Sequence, residues 1–143
     1  ATYLWSRPIP RWAVYAGKLA ALVPVTTALV LASWALASHL RSEVSPPASS
    51  FLALGLGTLT VSLIATGISS LAPRHGMALT IVYMLFFDLS IGAVPAKIAE
   101  ASASYHVRHL AEMGGGARAA IALGVLGGLW ALVALWRVRR LET

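Results

Sequence analysis

The chain of 143 residues contains no cysteine, and only 11% of it is Asp, Glu, Lys or Arg. The missing thiols exclude a disulfide framework and any thiolate metal site, and they leave the redox compartment open. The shortage of charge excludes an ordinary water-soluble surface, for which roughly 25% charged residues is typical. Acids are the scarcest class, five against eleven Lys and Arg, giving a formal net charge of +6. A surplus of this kind points to nucleic acid when it forms a patch or stripe. Here the basic residues sit at the ends of apolar runs, so no nucleic-acid partner is expected. No G-x-x-x-x-G-K-[ST] phosphate loop is present, so the chain is not expected to bind or hydrolyse ATP by itself. No G-x-S-x-G elbow with a His and Asp partner set is found either. There is no internal repeat, and no secretory signal pattern of charged start, short apolar run and small-residue cleavage site.

What is present is apolar. Hydrophobic residues make up 58% of the chain, and mean hydropathy is +0.77. Lipid is therefore the expected solvent, and the length accommodates about four spans of ~20 residues with their connections. The expected fold class is all-α: a polytopic membrane helix bundle forming one transmembrane domain over residues 1–143, with four transmembrane helices and short interfacial helices. The spans are expected at about 14–40, 51–71, 77–94 and 117–136, with no cofactor.

Each span carries one informative feature. Pro24 should kink the first, with Thr26, Thr27 or a neighbouring helix taking up the freed carbonyl. The second is rich in Gly55, Gly57, Thr58, Thr60, Ser62, Thr66, Gly67 and Ser69; such residues pack helices closely or line a polar path. The third contains Asp88, an acid that costs roughly 2.5–3.5 kcal/mol at depth. Asp88 should face protein or water, either as a polar contact within the bundle or as part of a pathway or gate. The fourth carries Gly124 and Gly128 as a G-x-x-x-G pair, with Trp130 and Trp136 approaching an interface.

Residues 95–116 hold Lys97, Glu100, Arg108 and Glu112 and are not expected to span. One or two short helices at the external interface are expected there, with Pro95 at a helix start and the glycines 114–116 at the end. Ile98, Tyr105, Val107, Leu110 and Met113 are too mixed in phase for a clean apolar stripe. His106, His109 and Glu112 fall at spacings of three, so they share a helix face and form a candidate zinc triad. Scattered interfacial histidines explain the same residues without a metal, and no metal site is assigned.

Counting Lys and Arg sets the orientation. Arg7, Arg11, Lys18, Arg74, Arg137, Arg139 and Arg140 belong to the amino segment, the 72–76 turn and the tail. Arg41, Lys97, Arg108 and Arg118 are spread over the longer opposite connections, which also hold Glu43, Glu100 and Glu112. The bias places both ends in the cytoplasm.

The stretch from Tyr3 to Lys18, YLWSRPIPRWAVYAGK, puts three cations and no acid just before the first span. Trp5, Trp12 and Tyr15 are rings of the kind that settle at headgroup level. Pro8 and Pro10 forbid one continuous helix, so a surface element, a bend and then the span are expected. The bland reading is an interfacial anchor. Tyr3, Leu4, Ser6, Arg7, Pro8, Ile9, Arg11, Gly17 and Lys18 resemble the short coupling segment that precedes the third membrane helix in permease subunits of ABC-2 type transporters. A proline about six residues after the Gly-Lys pair, and short external helices between the last two spans, are also similar to that family.

The resemblance implies the carboxy-terminal part of a permease in a bacterial inner membrane. It implies an elbow helix and two spans upstream, since the sequence begins inside the motif at Ala1. It further implies a second permease copy, homo- or heterodimeric, and a separate ATP-binding cassette ATPase as partner. Arg7, Pro8 and Arg11 become the candidates for docking that ATPase, and the turn 72–76 a smaller second contact. The substrate is left open. Two other classes stay in play: a membrane enzyme using Asp88 or the set His106, His109 and Glu112, and a structural membrane subunit that anchors partners.

Overall fold

The structure, a computed structural model, describes residues 10–41, 47–112 and 116–140. Arg7 and Pro8 lie outside the described residues, and Arg11 is described only as the first residue of a helix. All the described regular structure is helical: α1 (Arg11–Leu40), α2 (Ala48–Leu71), α3 (Gly76–Val82), a π-helical turn (Tyr83–Asp88), α4 (Leu89–Ala93), a 3-10 turn (Lys97–Ala101), α5 (Ala103–Glu112) and α6 (Ala117–Arg140). The segment Gly76–Ala93 is one continuous rod, and with Trp12–Leu40, Ala48–Leu71 and Ala117–Arg140 it gives four helices long and apolar enough to cross a membrane. The chain is an all-α bundle of the multi-pass membrane kind. Its large outward side chains agree: Leu29, Phe86, Ile121 and Leu132 are all more than 60% exposed, a density of bare apolar surface that water does not tolerate.

Proline sets the start of α1. Pro10 is extended, at φ −61° and ψ 135°, and its carbonyl accepts the amides of Ala13 and Val14. From there 30 residues run to Leu40, about 45 Å at the α-helical rise. That exceeds a hydrocarbon core of about 30 Å, so α1 must tilt or project. Pro24 lies inside it without ending it. The expected repair by Thr26 is not the one found. Thr26 Oγ1 donates to the carbonyls of Leu22 and Val23, 2.9 and 3.1 Å away. These are its own helical neighbours and not the Ala20 carbonyl that Pro24 leaves without its usual i+4 donor.

The bundle is organised on α2, which touches α1, α3, α5 and α6. The core joins Ala53, Ile64 and Ile68 of α2 to Ala103 and Leu110 of α5 and to Ala119 and Leu123 of α6. Small residues let these helices approach. A Cβ on Gly67 would stand 2.6 Å from Trp130 Cε3 and 3.1 Å from the Trp130 carbonyl oxygen. Trp130 is therefore a packing residue, wedged between Gly67 and the edge of Tyr83, whose ring centroid is 5.7 Å away. On α6 the glycine used is Gly127, against Leu63 and Thr60; Gly124 and Gly128 meet nothing within 4 Å among the described residues. The α2 hydroxyls mostly close on their own helix, as from Thr58 to Leu54 and Thr66 to Ser62. Thr60 also reaches the Leu123 carbonyl of α6 at 3.3 Å.

The α2–α3 turn is tight enough to require glycine: a Cβ on Gly76 would lie 2.7 Å from Ser69 Cα. Arg74 and His75 are both exposed at this turn. The amino end of α1, this turn and the last turn of α6 share one end of the bundle, the basic end. The segment 94–112 sits at the other, the hairpin end.

Candidate functional site

Asp88 is 4% exposed and lies in an otherwise apolar rod. It closes the π-helical turn Tyr83–Asp88, a wide turn of a kind that often marks functional positions. Twelve residues separate it from Gly76, about 18 Å of rise. The chain then leaves through α4, reverses over Val94–Ala96, and returns through the 3-10 turn. Pro95, expected to open a helix, sits in that reversal instead. The returning chain starts α5 back at the level of Asp88, so residues 94–112 form a re-entrant hairpin that descends below the end of α4 and climbs out again.

A helix starting at depth exposes amide donors that hydrocarbon cannot satisfy. Here all four of the first donors are met. Ser102 N donates to the Ala99 carbonyl at 3.0 Å. Ala103 N donates to Asp88 Oδ1 at 2.7 Å and Ser104 N to Asp88 Oδ2 at 2.9 Å. Tyr105 N donates to Ser102 Oγ at 3.2 Å, the local capping bond of an N-cap serine. Ser102 and Ser104 hydroxyls donate in turn to the Asp88 carbonyl at 2.9 and 3.0 Å. One acid thus accepts two backbone amides through its side chain and two hydroxyls through its main chain. A negative group at a helix amino terminus also meets the positive end of the helix dipole.

Two further ties hold the hairpin. Arg108 Nη2 donates to the Gly92 carbonyl at 2.8 Å. Ser49 Oγ of α2 donates to the Ala111 carbonyl at 3.3 Å. A Cβ on Gly92 would lie 2.5 Å from both Ser102 Oγ and Ser104 Oγ, so glycine is needed for α5 to pass. Against α2, Val107 fills the space over Gly57, where a Cβ would come within 2.7 Å. The buried face of α5 is Ala103, His106 and Leu110, with half-buried Val107 beside it. Of the apolar residues whose phases looked mixed, Leu110 alone is buried among the described ones, and Ile98 is exposed; a small residue and a histidine complete the buried face.

His106 is 8% exposed, and its Nε2 lies 2.8 Å from the Glu100 carbonyl oxygen. A carbonyl only accepts, so Nε2 carries the proton. His109 and Glu112 are exposed, and among the described residues no three His, Asp or Glu side chains gather as a metal site. Tyr105, His106, His109 and Arg118 instead border a small mixed cavity of about 230 Å³ at the hairpin end.

Beside the Asp88 network runs an apolar groove of about 630 Å³. Its floor is α2 at Leu54, Thr58 and Val61; one wall is α1 at Thr26 and Val30, and the other is Met84, Leu89 and α5. Asp88 and Arg108 are its charged members. Chemically the site is a cap and a latch: it fixes a hairpin at depth beside an open groove. Sequence reading singled out Asp88 and missed Ser102 and Ser104, although a Ser-x-Ser pair just before a helix-forming run is a capping signal. No protein-family model, no curated protein and no solved structure matches the chain.

Proposed function

We propose that this chain is the four-helix carboxy-terminal part of an ABC-2 type permease, a membrane subunit that moves a substrate of unassigned class using ATP hydrolysed on a partner. In this reading the basic end faces the cytoplasm of a bacterial cell, the hairpin end faces outward, and the permease works as a pair. The observation that carries the reading is the re-entrant hairpin between the third and fourth spans, in the place where the resembling family has its short external helices. The sequence YLWSRPIPRW before α1 supports it from the other end, as a cationic coupling segment ahead of a span. The charge bias of the basic end supports the orientation. The chain itself hydrolyses nothing in this scheme. ATP-driven movement of the partner would push residues 2–16, and α1 would transmit the push.

Affinity purification of the chain from native membranes tests the proposal. An ATP-binding subunit is expected to accompany it in stoichiometric amount, with ATPase activity in the eluate. Recovery of the chain without any nucleotide-binding protein, under detergents that keep its own fold intact, would overturn it.

A further inference from the structure

A second groove, of about 460 Å³, lies at the basic end between α1, α2 and α6. Tyr15, Lys18, Leu22 and Thr26 of α1 line one side and Thr66 and Ser70 of α2 another, with Val138 of α6 at the base. It shares Thr26 and Ser62 with the larger groove above it. Almost all of its wall is apolar, and among the described residues no acid lines it. Among the described residues Lys18 is its one charged member. Next to Val138, Arg137 holds a buried Nε with no hydrogen-bond partner among the described residues. Arg74, Arg139 and Arg140 surround the same end, and the acids of the described residues, Asp88, Glu100 and Glu112, belong to the hairpin end.

The chemistry of the groove decides its occupant. Its apolar walls run from Lys18 to Thr26, about 12 Å of helical rise, which suits a hydrocarbon chain, and the cations Lys18, Arg137, Arg139 and Arg140 at its mouth suit an anionic headgroup. We propose that this groove binds an anionic phospholipid from the leaflet at the basic end, one acyl chain lying between α1 and α2 and the phosphate meeting Lys18. The ammonium is placed for that contact because helical side chains slant toward the helix amino terminus, here toward the headgroups, and a lysine stem can lie on apolar surface while its charge reaches the interface. Tyr15 stays beside it, its hydroxyl donating to Thr66 Oγ1 at 3.3 Å. The binding does not depend on transport.

The test uses the purified protein reconstituted in phosphatidylcholine bilayers with chain-spin-labelled phosphatidylglycerol or phosphatidylcholine, reading the motionally restricted fraction. The native protein is expected to restrict phosphatidylglycerol preferentially. Lys18→Gln should reduce that preference about five-fold, the ratio equivalent to one basic residue near a charged surface, and Lys18→Arg should keep it. Ala65→Phe, which fills the groove, should remove restricted phosphatidylglycerol while circular dichroism stays helical. An unchanged preference in Lys18→Gln would overturn the proposal. So would efficient cross-linking of Leu22→Cys to a second copy or another protein, since that places protein in the groove; the chain has no other cysteine to confuse the result.

Discussion

Replacing Asp88 with alanine is expected to free the re-entrant hairpin and to lower stability by about 2–5 kcal/mol. The reason is an accounting of donors. The amides of Ala103 and Ser104 end on the two Asp88 carboxylate oxygens, and alanine leaves both without a partner at a depth where water is scarce. The main-chain bonds from Ser102 and Ser104 to the Asp88 carbonyl survive the substitution, so α5 should loosen and not detach. Asp88→Asn keeps one acceptor and turns an amide donor toward a second donor, so an intermediate loss is expected. Hydrogen–deuterium exchange over residues 97–112, with thermal unfolding in detergent, measures both effects. Faster exchange confined to the hairpin in Asp88→Ala, smaller in Asp88→Asn, is the expected pattern. Unchanged protection in both variants would remove the capping role and return Asp88 to the groove it borders as a pathway residue.

The second large effect belongs to the amino segment. If the proposed ATP-binding partner docks on this segment, reversing Arg7 and Arg11 together to Glu should abolish its association, because repulsion replaces attraction between complementary charges. Insertion should survive, since Lys18, Arg74, Arg137, Arg139 and Arg140 still weight the same end. Pull-down of the partner with the double variant is the measurement, and Arg7→Lys with Arg11→Lys should retain most binding. Equal recovery of the partner by the double Glu variant and the native chain would show that the segment is an interfacial anchor and nothing more.

Much of the architecture is legible in the amino-acid order because hydropathy reports solvent, and four long apolar runs leave few alternatives to four spans. Their extents shift at the ends for local reasons. α6 continues through Arg137, Arg139 and Arg140 to Arg140, four residues past the expected stop, because basic side chains favour the last turn of a helix. α1 starts at Arg11 and not near Val14 because Pro10 is the last obstacle to helix.

The role of Asp88 was less accessible. Its partners are backbone amides fifteen and sixteen residues away, and a backbone amide has no signature in sequence. Only the fold brings them together. Gly124 and Gly128 match a packing pattern, yet Gly127 makes the contact, since the face that α6 turns inward is decided by its neighbours and not by spacing alone. The packing of Trp130 over Gly67 likewise has no signature in the order of residues.

The proposed orientation sets the basic end on the cytoplasmic side of a membrane and the Asp88-capped hairpin on the other. Single cysteines in this cysteine-free chain, Ser6→Cys and Ala101→Cys, labelled in intact cells with a membrane-impermeant maleimide, test it most directly. The account predicts that Ala101→Cys is labelled and Ser6→Cys is labelled only after permeabilisation; labelling of Ser6→Cys in intact cells with Ala101→Cys protected would contradict it.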